Sequence, residues 1–151
     1  MVLRIFKEKR LLLLQNSGNE ILRAPVALGR NPAGAKSCEG DGKTPEGIYH
    51  ICLIKENGKY GHSLGLDYPS PQDAALALAE RRINPQTHAA IMKAHLRGCR
   101  PPWGTPLGGE IYLHAGGAQS DWTEGCIALE KRDMETLFAF HANIDCIEIC
   151  P

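Results

Sequence analysis

Neither sign of charge prevails in this chain: Lys and Arg total 17, Asp and Glu total 17, and the formal net charge at pH 7 is zero. Nucleic acids and anionic membrane surfaces are gripped by clustered basic side chains. The densest basic stretch here, "RIFKEKR" at residues 4–10, is short, contains an acid and reads as a solvated strand end and turn, so no nucleic-acid partner is expected. Long hydrophobic runs are absent too. The nearest approach is "LLLL" at residues 11–14, and Gln15, Asn16 and Ser17 end it. A secretory segment wants ~7–15 apolar residues and a membrane span ~20. The chain as given therefore shows no leader, and no membrane insertion is expected. Also missing are a Cys-x-x-Cys pair, which would suggest a zinc or thioredoxin-like site, any internal repeat, any low-complexity tract and any linker.

What is present fits one domain. A chain of 151 residues can bury a core without disulfide staples. Residues 2–29 alternate like three short strands, "VLRIF", "RLLLLQ" and, after the turn "NSGN", "EILRAPVALG". Residues 30–47, "RNPAGAKSCEGDGKTPEG", are too rich in Gly, Pro, Asp and Ser for regular structure; they read as a long ordered loop, braced by Asp41, Lys43, Thr44 and Glu46. "IYHICLI" resumes as a strand, "KENGKYG" turns it and "HSLGLDYP" pairs back. Two helices follow, "SPQDAALALAERRI" and "NPQTHAAIMKAHLRG". Asn84 and Pro85 start the second, because an Asn side chain accepts from a free helical N–H and Pro at the first position loses no hydrogen bond; Gly98 ends it. Its apolar positions, Ala89, Ile91, Met92 and Leu96, are expected to face the core. "EIYLH" is a strand ending on His114, "KRDMETLFAFH" an amphipathic helix with Met134, Leu137, Phe138 and His141 on one face, and "NIDCIEIC" a closing strand. The pattern is α+β, mostly antiparallel β with two or three short helices.

Six cysteines are present, and five of them, Cys38, Cys52, Cys99, Cys146 and Cys150, read as buried reduced thiols. Cys126 stands apart, in "LHAGGAQSDWTEGCIAL" at residues 113–129. A thiol attacks a carbonyl only as thiolate, so a nucleophilic cysteine needs a proton acceptor or a positive field beside it. His114 at a strand end and Cys126 at the lip of the next element can meet. Gly125 lets backbone N–H groups turn outward toward the oxyanion of a tetrahedral intermediate. Ala115, Gly116 and Gly117 let the main chain turn sharply and leave a carbonyl free to orient the imidazole. On these residues alone, a structural thiol stays an alternative.

The segment "IYLHAGGAQSDWTEGCIALEKRDM" sets a strand-end His before a Thr-x-Gly-Cys turn, "VALGRNPAGAKSCEGDGKTPEGIYHI" carries a G-D-x-x-T-P-E-G pattern, and "YGHSLGLDYPSPQDA" lies between them. In this composition and order, over nearly the whole chain, the three resemble the L,D-transpeptidase catalytic domain (the YkuD family), the last its YafK-like branch. The resemblance implies a single catalytic domain over residues 1–151 with a YkuD-like β-sandwich or barrel. It makes Cys126 the nucleophile and His114 the general base, with the carbonyl of Ala115 orienting the ring and the N–H groups of Gly125 and Cys126 forming an oxyanion hole. Two departures stand out: many members carry Arg where this chain has Ala128, and the interval from His114 to Thr123 is shorter than in many relatives.

The implied substrate is a peptidoglycan stem peptide. Cys126 would attack the amide between the L-centre of the diamino acid at position three and a terminal D-Ala, releasing D-Ala. An amine of a second stem would then give a 3-3 cross-link, or water would give carboxypeptidase or endopeptidase action. No metal and no cofactor are implied. The family works in the periplasm or cell wall, whereas a chain without a leader leaves the cytoplasm open; the oligomeric state is not legible. Thr123 and Trp122, the latter equally able to cap the core, are candidate substrate contacts, and His62 with Tyr68 could hold a substrate carboxylate or be structural. His50, His88, His95 and His141 read as structural. Two rivals remain: a zinc site on His62, His114 and Cys126, and a silent wall-binding module. A thiolate stabilised by His114 would be the first thiol to alkylate.

Overall fold

Four leucines in succession behave here as a strand. Leu12 and Leu14 are fully buried, while Leu11 and Leu13 stay on the outer face, because successive side chains of a strand point to opposite sides. In the computed structural model, which describes residues 1–151, the chain runs β1 (Val2–Phe6), β2 (Leu11–Asn16), β3 (Asn19–Pro25), β4 (Gly47–Tyr49), β5 (Ile51–Gly58), β6 (Gly61–Leu66), α1 (Pro71–Ala79), α2 (Pro85–Leu96), β7 (Tyr112–Ala115), β8 (Ile127–Leu129), α3 (Lys131–Ala139) and β9 (Cys146–Cys150). Two sheets result, β3-β2-β1-β9-β4 and β5-β6-β7-β8. Only β1 with β9 and β7 with β8 are parallel.

The core lies between the sheets. Leu3, Ile5, Leu12, Leu14, Ile147 and Ile149 face it from one side and Leu64, Leu66, Leu113, Ile127 and Leu129 from the other, with Met134 and Leu137 of α3 added. Burying each such side chain is worth ~1.5–3 kcal/mol relative to exposure. Beyond β3 the chain continues as isolated bridges, Ala27 to Ala128 and Gly29 to Thr123, which stitch residues 26–30 onto the outer edge of β8 and so brace the turn that precedes it.

Three expectations need correction. "IYHICLI" is not one strand: β4 pairs with β9 in the first sheet and β5 with β6 in the second. The switch falls at His50, whose main-chain N–H donates to Asp67 Oδ1 at 2.7 Å and whose carbonyl accepts from Asp67 N at 3.0 Å, so both backbone groups leave the ladder for a carboxylate and a turn. In α2 only Ile91 is buried; Ala89 is exposed and Leu96 is 85% exposed. That helix packs with α1 around a small separate cluster of Ala74, Ala77, Ile83, Ile91 and Leu107, leaving its other apolar positions without a partner surface. Finally, all six cysteines are free and none is buried; Cys38 and Cys99 are exposed.

The long loop is ordered as its composition suggests. Asp41 accepts from the N–H groups of Ser37, Cys38 and Lys43 and pairs with Lys36. Burial would raise its pKa, but these donors together hold it down at about 2. Thr44 Oγ1 accepts from Gly29 N at 2.9 Å, and Lys7 closes on Glu46 and the carbonyls of Gly34 and Thr44. The α2 start is also as read: Asn84 Oδ1 accepts from Thr87 N at 2.8 Å, and Gly98 follows the helix at φ +62°.

Candidate active site

Parallel pairing of β7 with β8 sets His114 opposite Ala128 and Leu113 opposite Ile127, so the turn entering β8 brings Cys126 alongside β7. On the other flank, β6 pairs with β7 with Ser63 opposite His114. The imidazole is buried, stacked under Tyr60 with ring centroids 4.5 Å apart and touched edge-on by Trp122 at 5.7 Å. Its Nδ1 lies 2.6 Å from the Ala115 carbonyl oxygen. A carbonyl can only accept, so Nδ1 carries the hydrogen and Nε2 keeps its lone pair. Burial lowers the pKa of His114, opposed in part by that same hydrogen bond. The ring is therefore a neutral base at pH 7 with a fixed tautomer.

The turn of Cys126 is built from the inside. Thr123 Oγ1 donates to the Cys126 carbonyl at 2.7 Å and accepts from Gly125 N at 3.1 Å. Thr123 N donates to Leu28 O and Arg30 N to Thr123 O, which ties the turn to the stitched segment after β3. The thiol donates to Glu110 O at 3.4 Å, and its sulfur accepts from Tyr112 N at 3.4 Å. Burial raises the Cys126 pKa, with the Tyr112 N–H acting the other way. Burial thus biases both groups toward their neutral forms, thiol and imidazole. Both side chains line one pocket of about 190 Å³, together with Lys55, Lys59, Tyr60, Ser63 and Tyr112.

A family model described as L,D-transpeptidase catalytic domain matches residues 2–149. The chain belongs to the L,D-transpeptidase catalytic-domain (YkuD) family. Solved structures agree on the fold. Pgp2, described as the helical cell shape determining protein of Campylobacter jejuni, is 18% identical with a TM-score of 0.65 over 98% of this chain and 46% of its own. An L,D-transpeptidase from Xylanimonas cellulosilytica is 12% identical, TM-score 0.55, over 98% of this chain and 59% of its own. Bd1075 of Bdellovibrio bacteriovorus is 21% identical, TM-score 0.54, over 98% and 46%. The chain thus spans about half the length of these proteins. Among curated proteins none matches it.

Within this transpeptidase fold the predicted residues separate. Ala115 turns its carbonyl onto the imidazole, and Trp122 flanks that ring at 38% exposure, its Nε1 donating to Gly117 O, rather than capping the core. Thr123, expected as a substrate contact, is buried with its hydroxyl committed within the turn. Of the expected oxyanion pair, the Gly125 N–H donates to Thr123 Oγ1 in the resting site. His62 alternates with Ser63 and so projects from the opposite face of β6, stacked on Phe138 at 3.9 Å and bound to Glu135. Tyr68 is buried in the core, its hydroxyl donating to Leu107 O. Neither faces the cleft, and the zinc rival loses its ligand set, since His62 does not join His114 and Cys126. Tyr60, Ser63, Lys55 and Lys59 were missed because only strand register reveals that residues 55–63 overhang His114.

The resting protonation also reverses the expected order of alkylation. A half-buried thiol with a raised pKa carries little thiolate at neutral pH, and the thiolate is the reacting species. Iodoacetamide at pH 7 should modify the exposed Cys38 and Cys99 before Cys126, read by peptide mass mapping. Earliest label on Cys126 would mean a standing thiolate–imidazolium pair instead.

Proposed function

We propose that this domain is a cysteine acyltransferase acting on peptidoglycan stem peptides, with Cys126 as nucleophile and His114 as general base. The observation that carries the reading is an imidazole whose Nδ1 is committed to the Ala115 carbonyl, leaving Nε2 free, on the same pocket as the Cys126 thiol. In the resting site the thiol points its proton at Glu110 O. Attack requires the Sγ–H to swing from that carbonyl to Nε2, which takes the proton as sulfur bonds to the amide carbon. The tetrahedral oxyanion meets the Cys126 N–H. Collapse breaks the C–N bond, Nε2–H returns the proton to the departing amine, and a thioester remains.

The second half runs the same groups backward. An acceptor amine attacks the thioester, gives its proton to Nε2, and the thiolate leaves and is reprotonated. Water in place of the amine gives hydrolysis with identical proton traffic, so the acyl-enzyme is common to both outcomes. No step calls for a metal or cofactor. The reading puts the work at the cell wall, supported by membership in a family that is generally wall-associated; no helix of the chain is long and apolar enough to cross a membrane.

The test is a mass measurement. A disaccharide tetrapeptide ending in D-Ala should add to Cys126 as donor minus alanine, and a second stem amine should convert the adduct to a dimer. Tripeptide release at an unchanged rate when amine is added would reassign the domain as a peptidase. No adduct from tetrapeptide, pentapeptide or wall fragments would refute the substrate class.

A further inference from the structure

The pocket over Cys126 has a charge that the chain as a whole lacks. Of its lining residues, Lys55 and Lys59 are cationic and none is a carboxylate, although acids and bases balance across the sequence. Elsewhere the fold pairs its buried lysines internally, Lys7 with Glu46 and Lys36 with Asp41. Lys55 and Lys59 form no ion pair. Each ammonium lies instead over an aromatic face of the same pocket, Lys55 at 4.5 Å from the Tyr112 centroid and Lys59 at 5.2 Å from that of Tyr60. A ring face attracts the cation without consuming its N–H donors. Two ammonium groups are thus gathered at the rim of a reactive thiol with their hydrogen-bonding capacity unused.

Two cations on one pocket with no carboxylate in its lining suit an anionic ligand, and the donor of the reaction above supplies one as a carboxylate. Such a group has a defined place in the reaction above: in a donor that ends one residue past the attacked amide, the terminal carboxylate lies about one Cα–Cα step, ~3.8 Å, from the residue under attack. A donor that continues as a longer peptide offers a neutral amide there and leaves both ammonium groups unanswered. We propose that Lys55 and Lys59 form a carboxylate-reading subsite that selects donors ending one residue beyond the attacked bond, so that the domain acts at peptide ends rather than within longer peptides. This deepens the acyl-transfer reading and rests on it. Neither lysine is a proton carrier in the chemistry; they determine which donor is accepted.

The test compares two tetrapeptides that differ only in ending as a carboxylate or a carboxamide, with acyl-enzyme formation followed by mass. The intact domain should prefer the acid by about 10- to 100-fold, the range of one or two charge-assisted hydrogen bonds. Lys55→Met with Lys59→Met should collapse that preference, and Lys55→Arg with Lys59→Arg should keep it. Because Lys55 also bears on the Cys126 thiol, absolute rates will move for either donor; the acid-to-amide ratio cancels that effect. Both lysines are exposed, so the melting temperature should hold. Equal acylation by the two donors, or a preference that survives the double Met variant, overturns the subsite and leaves acyl transfer standing. Absence of any adduct from either donor with the unaltered domain overturns both.

Discussion

Replacing His114 by glutamine should slow acylation of Cys126 by ~10²–10⁴, the usual loss when a positioned base is removed, while the melting temperature falls by only about 2–4 °C, the equivalent of one hydrogen bond in a domain of this size. Glutamine fills much of the space between Tyr60 and Trp122 but offers no basic nitrogen. The pH profile gives the sharper readout. Only neutral His114 accepts the thiol proton, and burial lowers its pKa below the ordinary histidine value. The acidic limb of the acylation rate should therefore fall below pH ~6.5, and it should vanish in the Gln variant. Stability moves in the same direction: the unfolded chain binds the His114 proton more readily than the native one, so this group costs stability as pH drops through ~6.5 and nothing above it. A Gln variant with near-normal turnover, or a limb above pH 6.5, would remove His114 from the role of base.

Strands and caps were legible because their signals are local. The inward leucines of residues 11–14, the Asn84–Pro85 helix start and the Asp41 contacts that brace residues 36–43 each follow from chemistry within a few residues. The split at His50 was not legible, since it depends on Asp67, which reaches back across β5 and β6 to take the His50 N–H. Likewise the apolar pattern of α2 implied a broad core contact. The helix instead packs with α1 around a small cluster, and a periodicity count cannot tell which neighbour exists.

The site divides along the same line. His114, Ala115 and Cys126 were readable as a motif, with glycines whose absence of side chains has a visible purpose: a Cβ on Gly116 would lie 2.7 Å from the Trp122 ring. What a motif does not carry is direction. Thr123 and His62 both sit close in sequence to site residues, yet one turns its hydroxyl into the turn before β8 and the other falls on the wrong side of a two-residue alternation. Tyr60 and the two lysines come to line the His114 pocket only through the pairing of Ser63 with His114. The protonation state is the deepest of these differences. A cysteine beside a histidine suggests an ion pair, but burial acts on both groups toward neutrality, and the Ala115 and Tyr112 backbone contacts only moderate it.

Gly125→Ala should be the most damaging single-methyl change in the domain's active turn. Gly125 sits at φ +136°, which side chains rarely adopt, and a Cβ built there would lie 2.6 Å from the Lys43 carbonyl oxygen and 3.1 Å from Ile111 Cδ1. The oxygen belongs to the braced loop and cannot swing aside as the end of a flexible side chain could. Backbone strain of this kind costs ~1–3 kcal/mol before any clash is counted, which corresponds to a fall of roughly 2–12 °C in melting temperature for a domain of this length. The functional effect should exceed the thermal one. Any relief of the clash moves the Thr123–Cys126 turn and with it the sulfur, and a displacement of ~1 Å can cost ~10² in rate. Gly104→Ala is the matched control, because nothing lies within 4 Å of a Cβ at that position. Calorimetry and acyl-enzyme mass on the two variants should separate sharply; a Gly125→Ala protein as stable and as readily acylated as the control would show that the turn does not fix the nucleophile.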